Sequence, residues 1–126
     1  MSRRPDPLDE LGLDFEVALS REHARAHPDD LEALRALAYA CTGAGRLTEA
    51  LEVDRELCAR APERADFRYD LACSYALLKR PDEAFVELGK ALDLGFDDGT
   101  HLDEDPDLHV LRKDPRWAPL RRRLKP

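Results

Sequence analysis

No close cysteine pair, no long apolar run and no glycine-rich loop behind a strand occurs in these 126 residues, and each absence removes a class of protein. Cys41, Cys58 and Cys73 are odd in number and widely spaced, and they fall inside predicted helices, so they read as reduced, small hydrophobes rather than a disulfide framework. No stretch approaches the roughly 20 apolar residues that span a bilayer. The opening Met-Ser-Arg-Arg is not followed by an apolar run, so neither a secretory nor a twin-arginine signal is read and a cytoplasmic location is expected. Without a strand before them, Gly43 and Gly45 read as a hairpin turn, not a phosphate loop. Cys41 and Cys73 lack a histidine base at motif spacing, so no enzyme is expected. His23 and His27 have the spacing of a two-histidine metal edge but no third ligand, and His101 and His109 beside carboxylates read as solvated surface. No metal or cofactor is expected. Lysine is scarce, only Lys79, Lys90, Lys113 and Lys125 against abundant arginine, a composition that points to a GC-rich bacterial genome.

What is present is charge and periodicity. Charged residues make up 37% and hydrophobic ones 43%, which suits one domain of amphipathic helices. The net charge of −7 argues against general binding to nucleic acid or anionic membrane. Between Pro28 and Gly95 a unit of about 34 residues is written twice. Pro28 recurs as Pro62, Leu37 as Leu71, Ala38 as Ala72, Arg46 as Arg80, Glu49 as Glu83 and Ala50 as Ala84. Residues 1–13 read as a flexible arm with one helical turn near Leu8–Leu11. A helix over 14–26, capped by Asp14, carries Phe15, Ala18, Leu19 and Glu22 on one stripe. Asp29 or Asp30 caps a helix through Leu31, Leu34, Leu37, Ala38 and Cys41, and a second runs over 47–60. The second copy predicts helices over 63–78, with Phe67, Leu71, Ala72, Tyr75 and Leu78 inward, and from Pro81 to a left-handed cap at Gly95.

The unit resembles a tetratricopeptide repeat in Leu34, Leu37, Ala38, Cys41, Ala50, Leu57 and Pro62, then in Leu71, Ala72, Tyr75, Ala84, Leu88 and Ala91. It differs at Asp54, where the pattern has an aromatic, at Arg68, where it has a bulky apolar residue, and at Phe96, where it has proline. The resemblance implies an all-α fold: a right-handed α-α superhelix of about two and a half hairpins with C-terminal capping helices. Its parts are a half unit 14–27, repeats 28–61 and 62–95, and a degenerate repeat or cap 96–126. It also implies a concave peptide-binding groove lined by Glu32, Arg35, Tyr39, Thr42, Asp66, Tyr69, Cys73 and Ala76. The lysine and asparagine clamp for C-terminal carboxylates, found in some members, is absent from these positions.

Beyond Gly95, Asp105-Pro106 and Asp114-Pro115 mark fresh helix starts, predicting short helices over 100–104, 106–113 and 115–124. Leu108, Leu111, Trp117 and Leu120 read as a cap packed on the helix bearing Phe85 and Leu92, because a solenoid needs a polar outer end. Acidic residues from Asp97 to Asp107 precede a basic run. That separation reads either as complementing helix dipoles or as an anion patch at Arg121, Arg122, Arg123 and Lys125. The expected function is that of a non-enzymatic adaptor holding another protein or peptide. A structural or self-associating module, monomer or weak homodimer, and an anion-binding module are the alternatives. An array finished at both ends reads as a complete small protein with room for a short ligand.

Overall fold

The computed structural model describes residues 7–124. It contains α1 (Pro7–Ala26), α2 (Leu31–Gly43), α3 (Leu47–Arg60), α4 (Ala65–Leu77) and α5 (Pro81–Asp93). Then follow α6 (Gly99–Glu104), a 3-10 turn (Pro106–Leu108), α7 (His109–Arg112) and α8 (Trp117–Arg121). Among the described residues the fold is all-helical. The chain divides into two compact units, Met1–Val53 and Asp54–Pro126, the division falling within α3.

In the first unit Asp30 starts α2 as expected, its carboxylate accepting from the backbone N–H groups of Glu32 and Ala33. Ala33, Leu37, Ala38 and Cys41 are buried along one stripe of α2, and α1 packs against this helix. Ala33, Leu37 and Cys41 recur every four residues, a helical spacing. Two expectations for α1 are corrected. Its helix starts at Pro7, so 7–13 are helical and Asp14 lies inside the helix. The Asp14 carboxylate accepts from Arg46 at 2.7 Å instead of capping a helix. The helix buries Val17, whereas Phe15 and Leu19 are 67% and 60% exposed, so the stripe that carries them faces outward. Periodicity identifies a helix but not which of its faces is covered.

The second unit is built on α4 and α5, which pack together through Phe67, Leu71, Ala72, Tyr75, Ala84, Phe85, Leu88 and Ala91, all buried. Leu102, Leu108 and Leu111 from the C-terminal segment are fully buried beside them. Burial of a leucine is worth about 2 kcal/mol. The three short helices expected after Gly95 are present in shorter pieces: 106–112 starts as a 3-10 turn, and a turn closed by Trp117 N–H on Asp114 O precedes α8. Trp117 and Leu120 are only partly covered, whereas Leu102, which the sequence did not single out, is fully buried.

The three departures from the repeat pattern each have a partner in this unit. Asp54 is 4% exposed and accepts from the Ser74 hydroxyl. Arg68 pairs with Glu87 at 3.1 Å, both side chains largely covered. Phe96 stacks on Tyr69 with ring centroids 4.5 Å apart.

Three helix ends close alike. Arg46 N–H donates to Cys41 O, Arg80 N–H to Tyr75 O and Phe96 N–H to Ala91 O, at 2.8–3.0 Å. This is the left-handed terminal turn that satisfies orphan carbonyls. The residue before each donor has positive φ: Gly45 at 76°, Lys79 at 58° and Gly95 at 108°.

Candidate functional site

The eight residues predicted to line one groove have two different environments. On α2, Tyr39 is 55% exposed, and the Arg35 guanidinium lies 5.2 Å from its ring centroid. Glu32 lies 4.0 Å from Arg35 on the same helix. The spacing 32, 35, 39 sets the three side chains on one face, opposite the buried Ala33, Leu37 and Cys41 stripe. Thr42 is half-buried, and its hydroxyl donates to Ala38 O at 3.1 Å, so it is turned back onto its own helix. An arginine stacked on an exposed tyrosine offers a flat apolar ring, a phenol and a fixed cation, the residue types enriched where proteins bind one another.

On α4 the expectation of an open lining is corrected. Tyr69, Cys73 and Ala76 are 5%, 7% and 2% exposed. Asp66, at the start of the helix, is held by a bidentate contact from Arg64 at 2.7 and 2.9 Å. The residues after α5 cover this face. Phe96 stacks on the Tyr69 ring, and His101 meets its edge at 5.3 Å. The Tyr69 hydroxyl donates to Asp105 at 2.6 Å, and the Cys73 thiol lies 3.7 Å from the same oxygen. The other Asp105 oxygen accepts from Asp107 N–H at 2.9 Å, capping the 3-10 turn. The capping role is readable from Asp105-Pro106. Its second role, as the acceptor that ties the segment to α4, is not, although Phe96 in place of proline signals a change at this position.

Cys73 Sγ and a carboxylate oxygen each from Asp105 and Asp107 lie within 4.8 Å of one another, a donor set that a cation could use. The bonds to Tyr69, Cys73 and the Asp107 backbone already use both Asp105 oxygens, which accounts for the cluster as an internal lock. Burial pushes the Tyr69 phenol above its ordinary range, with Cys73 and Asp105 adding to the effect. Burial, then the charges of Asp105 and Asp70, raise the Asp107 carboxyl. All three cysteines are free and buried. Burial first, then the charge of Glu49, raises Cys41 to about 11, and burial raises Cys58 to about 11. Cys73 is raised well above the usual thiol value, again first by burial. Thiols held protonated at neutral pH are poor nucleophiles and poor metal ligands.

His23 and His27 stack obliquely at 4.6 Å on the exposed end of α1. In the basic C-terminal segment Arg121 is paired with Asp103 at 2.7 Å, and Arg123 with Asp93. Arg116 bridges Asp82 and Asp114, both at 2.8 Å, holding the Asp114 carboxyl down at about 2. Arg122 is exposed, and Lys125 lies outside the described residues. The run of basic residues is thus substantially answered by acidic residues of its own unit.

No family model matches the chain, and no solved structure matches it. A stretch of 79 residues, 60% of the chain, is 33% identical to a protein of Arabidopsis thaliana whose name describes it as chloroplastic. The chain spans 24% of the length of that relative. No helix among the described residues is long and apolar enough to cross a membrane.

Proposed function

We propose that the chain is a tetratricopeptide-type helical solenoid acting in the cytoplasm as a non-enzymatic adaptor, and that its peptide-binding face is the outer surface of α2. Glu32, Arg35 and Tyr39 form that face. The observation carrying this reading is the half-exposed Tyr39 ring with the Arg35 guanidinium held over it. The repeated sequence unit and the like closures at Gly45 and Lys79 support the solenoid assignment. The expected ligand is a short peptide segment with one acidic or carbonyl group for Arg35 and one side chain that stacks on Tyr39. The α4 face is excluded from the site, since the chain's own residues 96–108 occupy it.

Selection of short peptides from a display library against the full chain tests this. Selected peptides are expected to contain an acidic residue, and binding should weaken at least about tenfold in Tyr39→Ala and in Arg35→Ala. Tyr69→Phe should leave binding unchanged. Affinity that survives both α2 substitutions in folded protein would sink the assignment. The anion-binding alternative through Arg121, Arg122 and Arg123 is disfavoured by the ion pairs to Asp103 and Asp93.

A further inference from the structure

The second unit carries a concave surface made by residues outside the predicted groove lining. Its first part, of about 290 Å³, is walled by Arg55 and Ala59 from α3, by Arg68, Leu71 and Tyr75 from α4, and by Glu87 from α5. A second part, of about 200 Å³, is walled by Asp82, Glu83 and Val86 of α5 and shares Tyr75 and Glu87 with the first. Tyr75 therefore stands where the two meet. It is 8% exposed, and its hydroxyl has no hydrogen-bond partner among the described residues. Among those residues no fully enclosed side-chain nitrogen or oxygen lacks a partner, so the unpartnered hydroxyl is the part of Tyr75 that opens into the groove.

We propose that this groove holds an aspartate or glutamate side chain of an extended peptide segment, the carboxylate accepting from the Arg55 guanidinium and the Tyr75 hydroxyl. Charge argues for that occupant. Glu87 is paired with Arg68 at 3.1 Å and with Lys90 at 3.2 Å, Asp82 with Arg116 at 2.8 Å, and Glu83 with Arg80. Of the charged side chains that line the groove, Arg55 alone has no counter-ion among the described residues. A carboxylate supplies the missing charge, and a phenol O–H beside the cation adds a charge-assisted hydrogen bond. The position of Tyr75 selects a side-chain carboxylate over a terminal one. Room lies on both sides of the hydroxyl, so the bound chain runs on in both directions, which a chain end would leave unused. Leu71 and Ala59 on one side and the 56% exposed Val86 on the other offer apolar contact to the residues flanking the acid. The groove shares no residue with the α2 face, so either reading can fail alone.

Titration of the full, isotope-labelled chain with the capped pentapeptide Ala-Leu-Glu-Leu-Ala from about 0.1 to 10 mM, a range that brackets millimolar affinity, tests it by amide chemical shifts. Saturable shifts are expected at Arg55, Tyr75 and Val86. The capped glutamine counterpart should leave these amides in place, and the glutamine peptide with a free C-terminus should bind more weakly than the glutamate probe. Tyr75→Phe removes a hydroxyl with no protein partner, so it should keep the wild-type Tm while weakening the glutamate probe at least about threefold. Arg55→Gln, on an exposed position, should weaken it by a similar factor. Tyr39→Ala should leave these shifts unchanged, which separates the groove from the α2 face. No saturable shift by about 10 mM, an equal response to the capped glutamine peptide, tighter binding of the free C-terminus, or undiminished affinity in folded Tyr75→Phe or Arg55→Gln would each overturn the proposal.

Discussion

Lys79 occupies a backbone conformation that suits glycine, which makes Lys79→Gly a direct test of how the helix ends are held. Its φ of 58° lies in the left-handed region, like the 76° of Gly45 one repeat earlier. The hydrogen bonds around the two positions correspond: Lys79 N–H to Ala76 O and Gly45 N–H to Thr42 O, each 3.0 Å. A side chain in this region costs about 1–2 kcal/mol. Glycine removes that cost but returns about 0.4–1 kcal/mol to the unfolded chain. The expected net is a stabilisation of about 0.5–1 kcal/mol, or a rise in Tm of roughly 2–5 °C for a chain of this length. Urea unfolding followed by circular dichroism should show a higher midpoint at unchanged slope. Lys79→Ala separates the backbone effect from loss of the lysine side chain, because alanine keeps the strain; it should lie within about 0.5 kcal/mol of wild type. The reciprocal change, Gly45→Ala, meets no neighbouring atom, so its expected loss of about 1 kcal/mol is a backbone cost alone. A Lys79→Gly protein that is neutral or weaker, at unchanged slope, would refute the reasoning.

Three other outcomes follow from the buried polar groups. Ser74→Ala strips Asp54 of a donor at 4% exposure and should cost about 1.5–3 kcal/mol in urea unfolding. Arg68→Leu leaves Glu87 with the half-exposed Lys90 at 3.2 Å as its remaining cation and should cost about 1–2 kcal/mol, while Arg68→Leu with Glu87→Leu recovers much of the loss, as a double-mutant cycle would report. Asp107 has a raised folded-state pKa, so the native state binds its proton more tightly than the unfolded chain and stability falls as pH rises from 3.8 through that raised value. Asp107→Asn should therefore raise Tm at pH 7 and lose its advantage near pH 3, as thermal scans at the two pH values would show.

The helices are legible in the sequence because their end signals are local. Asp30, Pro81 and Gly95 act within a turn of where they stand, and α2 and α5 begin where those residues predict. The faces are less legible. Phe15 and Leu19 have the spacing of a core stripe, but Val17 on the other side of α1 is the buried residue. Both faces of α1 carry apolar residues, and the choice between them depends on packing against α2, which no local pattern encodes. Tyr69 and Cys73 mislead for a related reason. Their exposure depends on residues 96–108, which lie about thirty positions away in sequence, beyond any local window.

The repeat explains why the two faces diverged. A shift of about 34 residues carries Arg35 onto Tyr69 and Tyr39 onto Cys73. In the first copy the large ring stands at the outer position and remains half-exposed beside arginine. In the second, a small thiol stands there and tyrosine takes the preceding turn. The thiol approaches Asp105 and Tyr69 donates its hydroxyl to that same residue, while Phe96, in place of proline, stacks on the ring. Cys73 and Phe96 thus have coherent roles only if the second face is built to hold its own chain. The residues that set the second copy apart from the first, Tyr69, Cys73 and Phe96, are those that seat the C-terminal segment on α4.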